Sequence, residues 1–213
     1  MRALATILVL IAGALGVVVE TSATGEAPPG PSEVVETAAR AMLQGLEANR
    51  AAYRKDPSKV GELVEKYLLP SFDIQYSARL VLGKHWRDAT PEQRERFATA
   101  FYHTLVDNYG SALAEFTSDR LKVFPTKVEA DADRATVRTE VTRDNGDHVP
   151  VNYSLRKSDD GWKAWDVTIE GISYVKSFRE DYGAAIDQQG LDAVIERIEK
   201  GGVTAPSAKG QKR

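Results

Sequence analysis

Apolar residues first recur at helical spacing, then alternate, then recur at helical spacing again, and this divides the chain into three parts. Val35, Ala38, Met42, Leu46 and Tyr53 fall near one face and predict an amphipathic helix over 32–54. Asp56-Pro57 offers a cap and a first-turn proline. A second helix is expected from there to Leu68 or Leu69, with Val60, Leu63, Val64 and Tyr67 inward, until Pro70 stops it. A short helix over 72–82 is apolar on more than one side, through Phe72, Ile74, Tyr76, Leu80, Val81 and Leu82, and Gly83 can end it. Thr90-Pro91-Glu92-Gln93 is the strongest start signal, a capping box with proline at the first helical position. The helix it opens is expected to reach about Phe116, with Phe97, Phe101, Leu105, Tyr109 and Leu113 repeating every four residues.

Beyond that helix the period becomes two. Leu121 and Val123 flank Lys122; Val137, Thr139 and Val141 alternate with Arg138 and Glu140. Val149, Val151, Tyr153 and Leu155 alternate with polar partners, as do Trp165, Val167 and Ile169. These are four half-buried antiparallel strands. Asn145-Gly146 and Asp160-Gly161 mark the two later hairpins. After Gly171 a helix is expected to about Ile186; Gly190 breaks it, and Leu191, Val194, Ile195 and Ile198 make a last amphipathic helix. The fold class is therefore α+β, with helices covering one face of a curved four-stranded antiparallel sheet. Helices packed on a concave sheet often leave an internal cavity, a common place for a small apolar ligand.

The ends read differently from this folded part. Arg2 is the only charge before Glu20, Ala3–Val19 is uncharged and apolar, and Thr21-Ser22-Ala23 ends in small residues. That is the layout of a secretory signal peptide over 1–23. An uncleaved anchor is the alternative, although the run is short of the ~20 apolar residues a span needs. Residues 24–31 (TGEAPPGP) are a linker by composition, and residues 201–213 have no apolar periodicity and are expected to be disordered. One domain over 32–200 remains. Net charge is −3, which gives no support to a nucleic-acid partner. The chain has no cysteine, so a lipid-anchored N-terminal cysteine, disulfides and thiolate metal sites are all excluded.

Little in the sequence points to catalysis. His85, His103 and His148 share no metal-binding spacing, and neither a nucleophile elbow nor a phosphate-binding glycine loop occurs. No catalytic residue, metal or cofactor is expected. Asp166 and Glu170 are the one carboxylate pair of interest, and turn and cap contacts are the simpler reading of both. Arg79, Lys84, Arg87, Arg94 and Arg96 cluster around the third helix and the start of the long one. They suit a phosphate headgroup or an acidic partner surface, or equally a solvated helix face with pairs such as Glu92–Arg96. Pattern alone reads the aromatic stripe of the long helix as core.

A resemblance changes that last reading. Residues 68–113 (LLPSFDIQYSARLVLGKHWRDATPEQRERFATAFYHTLVDNYGSAL) and 161–178 (GWKAWDVTIEGISYVKSF) resemble the MlaC family, also known as toluene-tolerance auxiliary components. The matching features are the Leu-Pro before the third helix, Arg79 with Leu82-Gly83, Trp86, Thr90–Gln93, Phe97, Phe101 and Tyr109, then Gly161-Trp162 and the run Asp166–Gly171. The resemblance implies a nuclear-transport-factor-like fold and a soluble, monomeric periplasmic carrier of phospholipid. Its partners would be an outer-membrane lipoprotein–porin complex and an inner-membrane ABC transporter containing an MCE-domain protein. Trp165 stands where the family pattern suggests a smaller aromatic and Tyr174 where it suggests an aliphatic residue. Combined with alternation and helical phase, the resemblance gives a candidate cavity lining. On the strands it comprises Val149, Val151, Tyr153, Trp165, Val167 and Ile169; opposite them it comprises Leu80, Phe97, Phe101, Leu105, Ile172 and Val175. Arg79, Lys84 and Arg87 are the candidates for headgroup proximity or partner docking.

Overall fold

The computed structural model describes residues 28–113, 118–143 and 145–201. Residues 1–23, read above as a signal peptide, and residues 24–27 and 202–213 lie outside the described residues, as do the side chains of Tyr109 and Leu113. Helices α1 (Pro31–Ala48), α2 (Arg50–Lys55), α3 (Val60–Leu63), α4 (Ile74–Leu82) and α5 (Pro91–Leu113) come first. Strands β1 (Leu121–Val123), β2 (Arg134–Thr142), β3 (His148–Ser158), β4 (Gly161–Ile169) and β5 (Ile172–Ser173) follow, then helices α6 (Tyr174–Gln189) and α7 (Leu191–Glu199). The strands form one antiparallel meander in chain order.

The α+β class is the one expected, with one strand more. Ile172 and Ser173 pair with Ile169 and Thr168 before the helix begins. The turn that permits this holds Glu170 and Gly171 at φ of 51° and 84°. Two successive left-handed residues match the twist of a tight hairpin. An ordinary residue takes the first strained position, so no Asn-Gly signal marks the turn.

The helical boundaries differ where local propensity is weak. The helix expected over 32–54 breaks at Asn49, whose φ is −148°. Glu47, Ala48 and Asn49 are all exposed, so no packing carries the helix through a residue of low helix propensity. Pro31, assigned to the linker by composition, is buried as the first residue of α1. The expected second helix is a run of short pieces: a 3-10 turn at Pro57–Lys59, α3, a π-helical turn at Val64–Leu68 and another 3-10 turn at Leu69–Ser71. Gly61 lies inside it, where helix propensity is poor. The run nonetheless directs Val60, Leu63, Val64, Tyr67, Leu68 and Leu69 toward one cluster with α1. Phe72 is extended and bridges Ala164 in parallel, and Asp73 N donates to Ala164 O at 2.7 Å. Helix α4 therefore starts two residues later than expected, with Asp73 as its cap accepting from Tyr76 N at 2.9 Å. The capping box forms as read: Gln93 N donates to Thr90 Oγ1 at 3.1 Å, and Thr90 N donates to Gln93 Oε1 at 2.9 Å.

Three apolar clusters hold the described residues together. The largest joins α4, α5, α6 and α7 through Val81, Leu82, Phe97, Phe101, Phe178, Tyr182, Val194 and Ile195. A second joins α1, α3 and the middle of α5 through Met42, Leu46, Val60 and Tyr102. The third packs α1 on the sheet through Val35, Val137, Leu155, Trp162 and Ala164.

Candidate functional site

Strand register defines the apolar face. Directly opposed residues share a face, so Leu121, Val141 and Val149 align, as do Val123, Thr139, Val151 and Ile169, then Val137, Tyr153 and Val167. Ile172 joins at the edge, opposite Ile169. Between Ser154 and Leu155 the register with β4 shifts: Ser154 faces Asp166 but Leu155 faces Ala164. Trp165 is the extra residue of this bulge. On β4, Trp162 and Ala164 before the bulge therefore share a face with Val167 and Ile169 after it.

The bulge corrects one assignment. Trp165 does not continue the Val167–Ile169 face but packs against the helical core, its ring 5.7 Å from that of Tyr76 and edge-on to it. The Ser77 hydroxyl, fully buried on α4, sits 2.6 Å from Trp165 O and 2.8 Å from Asp73 O, and so fixes α4 to the bulge. Asp166, only 4% exposed, accepts from Ser173 Oγ at 2.6 Å and from Val175 N at 3.0 Å. Ser173 Oγ in turn accepts from Lys176 N at 3.1 Å. Asp166 is thus spent on starting α6, while Glu170 meets Arg143 at 3.4 Å across the surface.

The helical candidates divide as well. Phe97, Phe101 and Val175 lie in the helical core and not with the strands. Phe101 packs edge-on to Phe178 at 5.2 Å and stacks on Phe97 at 6.0 Å; Phe97 meets Tyr182 at 5.6 Å. Those rings fill the volume they were expected to line. Leu105 is half-buried beside the same cluster, and Leu80 lines a surface pocket with Arg79 and Arg87. Helical phase shows which residues point inward; it does not show which neighbour they meet.

The strand candidates stay together. Val149, Val151, Tyr153, Val167, Ile169 and Ile172 form one apolar patch, which register extends to Val141 and Thr139. Val149 and Val151 are 6% and 8% exposed. Among the described residues, Val141, Val149, Val151, Val167, Ile169 and Ile172 belong to none of the three packed clusters, whereas Val137 and Leu155 at the other end of the face pack on α1. One polar feature marks the patch: Thr139 Oγ1 donates to Val151 O at 2.8 Å, beside the Tyr153 hydroxyl. Burial pushes that hydroxyl's pKa up, against a smaller pull from Thr139. Sequence alternation found this patch but missed Val141 and Thr139 as part of it, although both stand in the same alternating run. No group of three or more potential metal ligands occurs among the described residues. No helix among them is long and apolar enough to cross a membrane.

The family model described as MlaC protein matches residues 36–200, from the first helix to the end of the last. The chain belongs to the MlaC family. It is 34% identical over 163 residues to the toluene tolerance protein Ttg2D of Pseudomonas putida, covering 76% of this chain and 75% of that one. It is 24% identical over 180 residues to the intermembrane phospholipid transport system binding protein MlaC of Haemophilus influenzae, covering 83% and 84%. The structure of a phospholipid-binding protein from Ralstonia solanacearum, solved in complex with a phospholipid, is similar to it with a TM-score of 0.75 and 25% identity. The match covers 82% of this chain and 97% of that one. The MlaC resemblance, carried by residues 68–113 and 161–178 and expected to cover roughly 32–198, agrees with the match over 36–200.

Proposed function

We propose that this chain is a periplasmic phospholipid carrier that moves lipid between an outer-membrane lipoprotein–porin complex and an inner-membrane MCE-domain ABC transporter. The observation that carries the reading is the strand patch around Val149, Val151, Val167 and Ile169. It is apolar and stands outside the three packed clusters of the described residues, in a fold whose relative from Ralstonia solanacearum was solved with a phospholipid bound. The acyl chains lie along this patch, and the headgroup stays toward solvent. The protein acts by shielding and not by bond cleavage; its one buried carboxylate near the patch, Asp166, is engaged by Ser173 and Val175.

Energetics fit a shuttle. Each buried CH2 is worth ~0.8 kcal/mol relative to water, so a covered C16 tail gains about 12 kcal/mol. Two tails would sum to about 24 kcal/mol, above the ~18–21 kcal/mol at which non-covalent affinity saturates, so ordering the chains must offset part of the gain. Exchange with a bilayer moves the tails between two apolar media and is nearly neutral. Direction must then come from the docked partners.

Denaturing extraction of the purified protein followed by lipid mass spectrometry tests the reading. Intact diacyl lipid near one equivalent is expected, and Val151→Arg should remove it while the circular dichroism spectrum stays that of the folded protein. Lysolipid would point to an enzyme. Absence of lipid would point to an adaptor with a closed core, and either result overturns the carrier.

A further inference from the structure

A second site lies on the helical layer, at the turn that leaves α4. Arg79, Leu80, Gly83, Trp86, Arg87 and Arg179 line a surface pocket of about 300 Å³. Three guanidinium groups from two helices and a turn meet there, and among the described residues none of the three is ion-paired to a carboxylate. The nearby Asp187 is already engaged, by Lys84 at 2.8 Å and by His85 Nε2 at 3.3 Å. These contacts hold its carboxyl below the usual carboxylate range, Lys84 contributing most.

The pocket is built into the fold. Gly83 has φ of 54° and ψ of −116°, a backbone that favours glycine, and a Cβ there would lie 2.8 Å from Arg179 Nε, so any other residue would strain the turn and push the Arg179 side chain aside. Arg94 of α5 braces the other side. Its guanidinium stacks on the Trp86 ring at 4.9 Å, Nε donates to Trp86 O at 3.0 Å, and Nη2 to Arg87 O at 3.4 Å. The turn is thus held open with cations unspent, which is pre-organisation for an anion. Arginine forks suit the two oxygens of a carboxylate.

We infer that this pocket is a docking site for an acidic segment of a partner protein, with an Asp or Glu side chain seated among Arg79, Arg87 and Arg179. A lipid ligand fits poorly: the pocket is lined mainly by arginines, and the neighbouring apolar residues of α4, Ala78, Val81 and Leu82, are at most 1% exposed and packed into the helical core, not turned toward it. A plane of anionic headgroups fits poorly too, because the site is a small recess on a chain of net charge −3. Half-buried Trp86 and Leu80 beside arginines match the composition of protein–protein hot spots, rich in tryptophan and arginine.

Photo-crosslinking in the native host tests this. The reactive residue benzoylphenylalanine replaces Asp88, exposed and next in sequence to Arg87, or Lys157, exposed on the sheet, as a control. A protein adduct is expected at position 88, above that at 157, with the attached peptide carrying neighbouring Asp or Glu residues. Adding Arg79→Glu and Arg179→Glu should lower its yield at least tenfold, with lipid content unchanged. Should the double variant fold poorly, Arg79→Ala alone should still lower the yield severalfold. A lipid adduct, no adduct above the control, or an adduct indifferent to charge reversal would each overturn the proposal. Lipid content is read on the same samples, so failure of the carrier reading shows up separately.

Discussion

The helical layer and the distal half of the sheet face are both apolar, and they are built in opposite ways. The helical layer is filled by large rings: Phe97, Phe101, Phe178 and Tyr182 are each at most 1% exposed and interlock at 5.2–6.4 Å. The distal sheet face carries, besides Tyr153, mostly short β-branched residues, Val141, Val149, Val151, Val167, Ile169 and Ile172, which belong to none of the three clusters of the described residues. Rings interlock and fill space, whereas short side chains on a pleated surface make a smoother wall. Under the proposed carrier function the first region supplies stability and the second the wall for cargo, and substitutions can separate the two.

The largest effect is expected in the rings. Phe101→Ala should cost about 3–5 kcal/mol, the usual loss for a fully packed phenylalanine, read as a fall in the urea midpoint. Lipid content per folded molecule should stay unchanged. If lipid falls instead with stability intact, Phe101 lines the cargo space after all. Asp166→Ala comes next, at about 2–3 kcal/mol, because it strands a buried backbone N–H at Val175 and the Ser173 hydroxyl. Alkaline pH probes the same layer. Burial pushes the hydroxyls of Tyr182 and Tyr102 up to about 12 from 10.0. In the unfolded chain they ionise near 10, so this contribution is complete below pH 10 and is lost as pH rises toward 12. The urea midpoint should fall between pH 9 and 11.5, and the fall should be shallower in Tyr182→Phe.

How much of this contrast is legible in the sequence depends on the kind of contact. Local signals carry through: the Thr90–Gln93 box caps α5 as read, and Asn145-Gly146 turns at a Gly146 φ of 86°. Strand alternation placed Val149, Val151, Tyr153, Val167 and Ile169 on one face, and register agrees. Trp165 was misplaced because a bulge shifts register without changing composition. Its trace is the adjacent apolar pair Ala164-Trp165 inside an alternating strand, which no period of two can accommodate on one face. Phe97 and Phe101 read as inward and are inward, but α6 and α7, far later in the chain, supply their partners. Contacts at that sequence separation leave no local pattern. The arginine pocket was half visible: Arg79, Lys84 and Arg87 stand close in sequence, whereas Arg179 joins only through the docking of α6, and Lys84 turns away to Asp187.

Two milder substitutions sharpen the comparison by matching stability and separating cargo. Val151→Ala removes two methyl groups from a residue 8% exposed, worth about 1.6 kcal/mol at ~0.8 per group. Its lipid content should fall markedly, since the missing methyls belong to the proposed wall. Thr90→Ala removes the cap of α5 and should cost about 1 kcal/mol. Thr90 is exposed and on the helical side, where its hydroxyl accepts from Gln93 N. Gln93 also donates to Asp192 Oδ1 at 2.9 Å, so the start of α5 stays tied to α7 when the hydroxyl is gone. Fraying is then confined to the first turn, and lipid retention should match the unmodified protein. Two proteins of nearly equal stability should therefore differ in cargo. If both lose lipid in proportion to their midpoints, cargo tracks global stability, and the division between filled layer and spare wall fails.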